Sequence, residues 1–111
     1  MNETSSYREM ELLVIFDLPV GKKAERREYT KFRDFLLDDG FLMLQYSVYF
    51  RSCTNDSSAD KHIGRVQAHK PKYGNVRIIK LTKNQFEKMI MIQGEKSEQE
   101  IIDKPDGLIV I

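Results

Sequence analysis

The longest unbroken apolar run of the chain, LLVIF at 12–16, ends in Asp17, and Pro19 follows two places later. An uninterrupted run of this kind fits a strand buried on both faces, so 11–17 reads as the first strand. From 23 to 38 the spacing changes to three and four: Tyr29, Phe32 and Leu36, with Phe35 beside them, form one apolar stripe of a helix. Gly40, just past that stripe, suits a left-handed C-terminal cap. Over 41–53, Leu44, Tyr46, Val48 and Phe50 alternate with Gln45, Ser47, Tyr49 and Arg51, which predicts one long strand.

The turn-forming stretch TNDSSAD supplies an N-cap for a weakly amphipathic helix over 58–69, built on Ile63 and Val66 and ended by Pro71 and Gly74. A strand is predicted at 75–81. Thr82 and Gln85 have capping-box spacing and open a short helix to 88. A further strand at 89–93, a polar loop at 94–107 and a short apolar strand at 108–111 complete the pattern, and 1–9 read as a loose polar start. This order predicts an α+β fold in a single domain over 1–111. It is a ferredoxin-like βαββαβ antiparallel sheet, with helices on one face and an extra C-terminal strand. That last strand needs an edge to pair with, and a second chain offers one.

The 111 residues are 41% hydrophobic and 32% charged, as expected of a globular protein with one core. No apolar run approaches the roughly 20 residues of a membrane span, so no membrane partner is expected. The start lacks the basic-then-apolar order of a signal peptide. Cys53 is the single cysteine, which excludes an internal disulfide and fits a reducing cytoplasm. The net charge of +1 hides strong local biases. Residues 22–33 hold six bases against two acids, 61–80 hold six bases and no acid, and 95–106 hold five acids against two bases.

Four groups of residues are candidates for chemistry. Asp17 reads either as a strand-end carboxylate capping the turn at Leu18 and Pro19, or as a metal ligand or general base. One carboxylate makes a poor magnesium site, whereas two copies about a dimer two-fold would make a pair. Lys22, Lys23, Arg26, Arg27, Lys31 and Arg33 in the first basic segment, with Lys70, Lys72 and Arg77 in the second, are candidate phosphate contacts; the alternative is a solvated face. His62 and His69 lack a third metal ligand and read as surface histidines. Gln45, Ser47 and Tyr49 fall on one face of the long strand, suited to a partner sheet, to nucleic acid or to solvent. Ser47 has no histidine–acid pair nearby in sequence, and Cys53 reads as structural.

Taken together, the strand ending FDLP, the pair Arg26 and Arg27, Gly40 after the helix, and QYSVY at 45–49 resemble the CRISPR-associated (Cas) protein two family. The resemblance runs over about residues 11–51, with the later elements following in order. Phe16 stands where the general family form has tyrosine, and the apolar FLML stands where it has a shorter, basic stretch. FLMLQYSVY is similar to the subset accompanying Cas9-type systems.

The resemblance implies a ferredoxin-like homodimer that serves spacer acquisition beside the Cas-one integrase. In that role it is the nucleic-acid-binding subunit of the adaptation complex, bridging integrase dimers and holding double-stranded prespacer DNA. It also implies a Mg2+-dependent endonuclease acting on RNA or double-stranded DNA, dispensable for acquisition, in which the Asp17 carboxylates of two protomers are catalytic and share the metal. The dimer interface would then involve Asp17, Gln45, Ser47 and Tyr49, together with Leu108, Ile109, Val110 and Ile111. Two rival readings stand beside it: a free-standing, toxin-like magnesium-dependent nuclease, and a regulatory ferredoxin-like domain that binds neither nucleic acid nor metal.

Overall fold

A computed structural model describes residues 8–95. The elements are β1 (Met10–Asp17), α1 (Lys23–Asp38), β2 (Leu42–Gln45), β3 (Val48–Cys53), α2 (Asp56–Ala68), β4 (Asn75–Thr82) and α3 (Lys83–Glu87). The strands form one sheet in the order β2-β3-β1-β4, with every neighbouring pair antiparallel. This is the expected α+β, ferredoxin-like βαββαβ arrangement, but two of its strands arise differently from the sequence reading.

The stretch 41–53 is a hairpin and not one strand. Gln45 pairs with Val48, and the chain reverses through Tyr46 and Ser47. Ser47, the second of the two loop residues, takes a φ of 64°, a left-handed conformation uncommon for a residue with a side chain. The period-two alternation continues through the turn, so the pattern alone conceals it. The fourth strand is accordingly 75–82, and 89–93 forms no strand. The proposed strand of Leu108, Ile109, Val110 and Ile111, and most of the polar loop before it, lie outside the described residues.

Both main helices cover one face of the sheet. Leu12, Val14 and Phe16 of β1 point to that side and pack with Phe32, Leu36, Tyr49, Ala59 and Val66. Phe16 is the hub of the aromatic contacts, meeting Phe32 edge-on at 5.3 Å and stacking on Tyr49 at 5.8 Å. The other face carries Leu13 and Ile15 of β1 with Leu42, Leu44, Val48, Phe50 and Leu81. Among the described helices only the short α3 reaches it, through Phe86 stacked on Phe50 at 5.4 Å, and Met89 just beyond it adds to the cover. Ile79 on this face remains 43% exposed.

The helix ends follow from local chemistry. At the N-terminus of α1, the Glu25 carboxylate accepts from the Lys22 N–H at 3.0 Å. Its C-terminus is a Schellman motif, in which the N–H groups of Gly40 and Phe41 donate to the carbonyls of Leu37 and Leu36. Phe41 and Leu36 are both fully buried, which supplies the hydrophobic contact that accompanies the motif. Asn55 caps α2 by accepting from the Ser58 N–H at 2.8 Å, so that helix begins earlier than its apolar pattern. Thr82 and Gln85 form the expected capping box on α3.

Asp39, at the α1 C-cap, is buried against α2. Its carboxylate meets His62 Nδ1 at 2.7 Å and Arg65 at 3.0 Å, and its carbonyl accepts from Arg51 at 2.7 Å. His62 is therefore a buried member of a polar cluster and not the surface histidine expected. His69 stacks on Phe35 with ring centroids 4.0 Å apart. Neither histidine offers a metal pair.

Gly74 has a φ of +87°, and a Cβ there would lie 2.4 Å from the Asp17 carbonyl oxygen. Gly64 sits exposed inside α2 with nothing within 4 Å of an added Cβ. We therefore expect opposite outcomes from one substitution type. Gly74→Ala should destabilise by at least about 1–2 kcal/mol from backbone handedness alone, and by more from the backbone collision. Gly64→Ala should stabilise by up to about 1 kcal/mol through helix propensity. Urea unfolding of the two variants measures both, and equal effects would refute this account of the β1–β4 junction.

Candidate functional site

Asp17 is the last residue of β1. Odd positions of that strand face away from the main helices, so Asp17 shares its side with Leu13 and Ile15. The strand is closed at this end by a bond from the Phe16 N–H to the Ser47 carbonyl at 3.0 Å. Leu18 then turns into the core, and Pro19 has no N–H to extend the ladder. Asn75, the first residue of β4, is the direct cross-strand partner of Asp17. Three segments thus meet here: the end of β1, the hairpin tip at Tyr46 and Ser47, and the start of β4 with Gly74 against the Asp17 backbone.

The Asp17 side chain is exposed, and among the described residues no ion pair or hydrogen bond engages its carboxylate. It does not cap the Leu18–Pro19 turn. That work falls to Arg26, whose guanidinium donates to the carbonyls of Val20 at 3.1 Å and Gly21 at 3.0 Å. Among the described residues no three His, Cys, Asp or Glu side chains converge as a metal site. A single exposed carboxylate fits a divalent cation only as part of a ligand set completed from beyond the described residues. Its freedom from internal partners leaves it available for that role.

The candidate cations divide by what they already hold. Arg26 braces its turn, and Arg33 pairs with the neighbouring Asp34 at 3.4 Å. Lys22 lies at the helix start. Lys23, Arg27 and Lys31 are each four residues apart, exposed and outside every ion pair among the described residues. That spacing lines them up as one stripe along α1. Glu28 accepts from the Lys72 N–H at 3.1 Å, which ties the α2–β4 loop to α1. Lys31 and Lys70 border a groove of about 170 Å³ between α1 and that loop. Lys70 and Arg77 border a second cavity of about 290 Å³, floored by Ile63, Val66 and Val76. Lys70 therefore links the α1 stripe to the edge of β4. Two others of the second basic segment are neutralised, because Arg65 pairs with Asp39 and Lys80 with both Asp56 and Asp60, whereas Lys61 and Lys72 are in no ion pair among the described residues.

Gln45, Ser47 and Tyr49 do not share a strand face. Gln45 is exposed on β2, Ser47 is in the turn, and Tyr49 is 3% exposed within the helix-side core. Burial is the main cause raising the Tyr49 hydroxyl above its ordinary pKa, with Tyr29 adding to it. It is Tyr46, at 84% exposure, that projects from the hairpin tip. Burial likewise pushes the Cys53 thiol up, which disfavours the reactive thiolate and agrees with a structural role. The proximity of Asn75 and Arg77 to Asp17 was not visible in sequence, because Asn75 lies 58 positions after Asp17 and only the strand register joins them. No helix among the described residues is long and apolar enough to cross a membrane.

The family model for CRISPR associated protein Cas2 matches residues 10–89. A protein of Acidovorax ebreus named CRISPR-associated endoribonuclease Cas2 is 48% identical over 85 residues, covering 77% of this chain and 83% of the relative. A protein of the same name from Ligilactobacillus salivarius is 43% identical over 90 residues, covering 81% and 89%. A solved crystal structure of Cas2 overlays with a TM-score of 0.49 at 15% identity, covering 81% of this chain and 92% of that one. On the family match and the identity to these two relatives, this chain belongs to the CRISPR-associated Cas2 family.

Proposed function

We propose that this protein is a nucleic-acid-binding subunit of CRISPR spacer acquisition that acts as a homodimer and hydrolyses phosphodiester bonds at a site built on paired Asp17 carboxylates. The observation that carries this reading is an exposed carboxylate without a partner among the described residues, at the rim of an apolar sheet face that the main helices leave open. A second copy stacked on that face would bury Ile79 and Ile15 and bring the two strand ends together. The two carboxylates would repel unless a cation lay between them. Mg2+ held there would neutralise phosphate charge and lower the pKa of a bound water. Within each protomer, Asp17 orients that ligand set, the β1–β4 junction keeps the carboxylate at the surface, and the Lys23, Arg27 and Lys31 stripe holds the backbone of the nucleic acid.

The names of the relatives support RNA as a substrate. Bridging of integrase dimers and capture of double-stranded prespacer DNA rest on family membership and on the sequence-independent character of the cation stripe. A free-standing nuclease is the competing reading, favoured by the same names, and Asp17 separates the two. Asp17→Asn keeps the shape and removes the charge. Hydrolysis of an RNA oligonucleotide in Mg2+ should fall on the order of a thousandfold. Dimerisation in sedimentation runs should persist, and integration of a short duplex by the reconstituted complex with integrase should be retained. Loss of integration with assembly intact would sink the scaffold role. Unchanged hydrolysis would sink the Asp17 site. Ile79→Asp, by placing a charge on the open face, should yield folded monomers, and a stable dimer would place the interface elsewhere.

The helix stripe has its own test. Arg27→Ala with Lys31→Ala removes two cations per protomer and four per dimer. Each lost contact should flatten the slope of log affinity against log salt by about 0.9 on duplex DNA. The loss should be equal for unrelated sequences, since phosphate contacts carry no base information. An unaltered slope would mean that the stripe is merely solvated.

A further inference from the structure

The register between β1 and β4 brings one arginine to the Asp17 end of the sheet. Ile15 pairs with Arg77 and Asp17 with Asn75, so Arg77 is the diagonal cross-strand neighbour of Asp17 on the same face. Diagonal neighbours on an antiparallel pair are about 7–8 Å apart, within reach of long side chains. Yet no ion pair joins the two, and among the described residues Arg77 has no carboxylate partner. Most other arginines are already engaged: Arg26 with its turn, Arg33 with Asp34, Arg51 with the carbonyls of Asp39 and Ser52, and Arg65 with Asp39. Arg27 is free but lies on α1. Arg77 is exposed, and at the edge of β4 it also borders the helix-side cavity that Lys70 lines.

A guanidinium so placed has donors for two oxygens of one phosphate. We propose that Arg77 is the substrate-positioning residue of the Asp17 site, where it clamps the non-bridging oxygens of the scissile phosphodiester. This rests on the reading of Asp17 as a hydrolytic site. In the reaction a water oxygen bonds to phosphorus, and the bond to the leaving sugar oxygen breaks with its electron pair. That oxygen takes up a proton, and the attacking water loses one to solvent. Arg77 exchanges no proton. It holds the phosphate in line and offsets the charge that grows on its oxygens, so its contribution is larger in the transition state than in the bound substrate. Lysine keeps the charge and loses the fork, so Arg77→Lys should restore binding better than turnover.

The test uses the full-length protein and a single-stranded RNA oligonucleotide, with Lys61→Ala, an exposed cation on α2 away from this edge, as the control. Arg77→Ala should lower kcat more than tenfold with a smaller change in KM. Arg77→Lys should recover KM but only part of kcat, and Lys61→Ala should match the unmodified chain. The thermal midpoints should agree, since Arg77 holds no internal partner. In an Asp17→Asn background, where turnover is absent, Arg77→Ala should weaken binding of the same oligonucleotide about tenfold, the equivalent of one charge-assisted contact. It should also reduce the salt slope by about 0.7 per contact on a single strand. Unchanged binding in that background overturns the inference whether or not the unmodified protein cuts. A pure KM effect, equal in Arg77→Ala and Arg77→Lys, overturns the positioning role. If Asp17→Asn still cuts while Arg77→Ala binds weakly, the Asp17 reading fails and Arg77 stands as a phosphate contact alone.

Discussion

Strand β1 is hydrogen-bonded along both edges and buried on both faces, and the remaining structure is arranged around that double demand. Its even positions need a helical layer, which α1 and α2 supply through Phe32, Leu36 and Val66. Its odd positions need an apolar neighbourhood, which among the described residues comes from β2, β3, Leu81, Phe86 and Met89. A strand satisfied in this way can break only where its pairing stops. It stops at Asp17, where Leu18 dives into the core and Gly74 presses on the Asp17 carbonyl. The carboxylate emerges at the surface because the buried strand has come to its end, and its exposure spares it the cost of desolvation.

Electrostatics sort the surface more finely than composition does. The two basic segments look alike as counts, but folding cancels part of each. Lys80 is held between Asp56 and Asp60, Arg65 is spent on Asp39, and Arg26 is spent on its turn. Hydrogen bonds donated by its ammonium to Asp56 and Asp60 also raise the Lys80 pKa above its ordinary value, which favours the charged form. What is left includes a stripe on α1, Lys70 at the junction of two grooves, and Arg77 beside Asp17, with Lys61 and Lys72 also outside every ion pair among the described residues. Cations that hold no internal partner lose no native contact when a phosphate arrives.

The elements with strong periodicity were legible in the sequence. β1, α1 and the capping box of α3 lie where the pattern puts them, because burial and capping act over a few residues. The hairpin at Tyr46 and Ser47 was not legible, since neither residue is a glycine or asparagine and alternation runs straight through it. Tyr49 was misassigned to an outward face because β3 is covered on both sides: Tyr49 packs in the helix-side core while Val48 and Phe50 pack on the other face. His62 was read as exposed because nothing local reveals that Asp39, 23 positions earlier, lies against it at 2.7 Å.

The sequence by itself determined the fold class, the places of the first strand and the three helices, and the terminal carboxylate of an apolar strand. Each of these depends on neighbours within one or two turns or on simple alternation. Only the tertiary structure decided which cations remain unengaged, which histidine is buried, and which residues stand beside Asp17. Those outcomes depend on strand register and on ion pairs between distant segments, and both are settled by packing the whole chain at once. Asn75 and Arg77 join Asp17 because β4 pairs with β1 in one register, held where the bare backbone of Gly74 fits against that of Asp17.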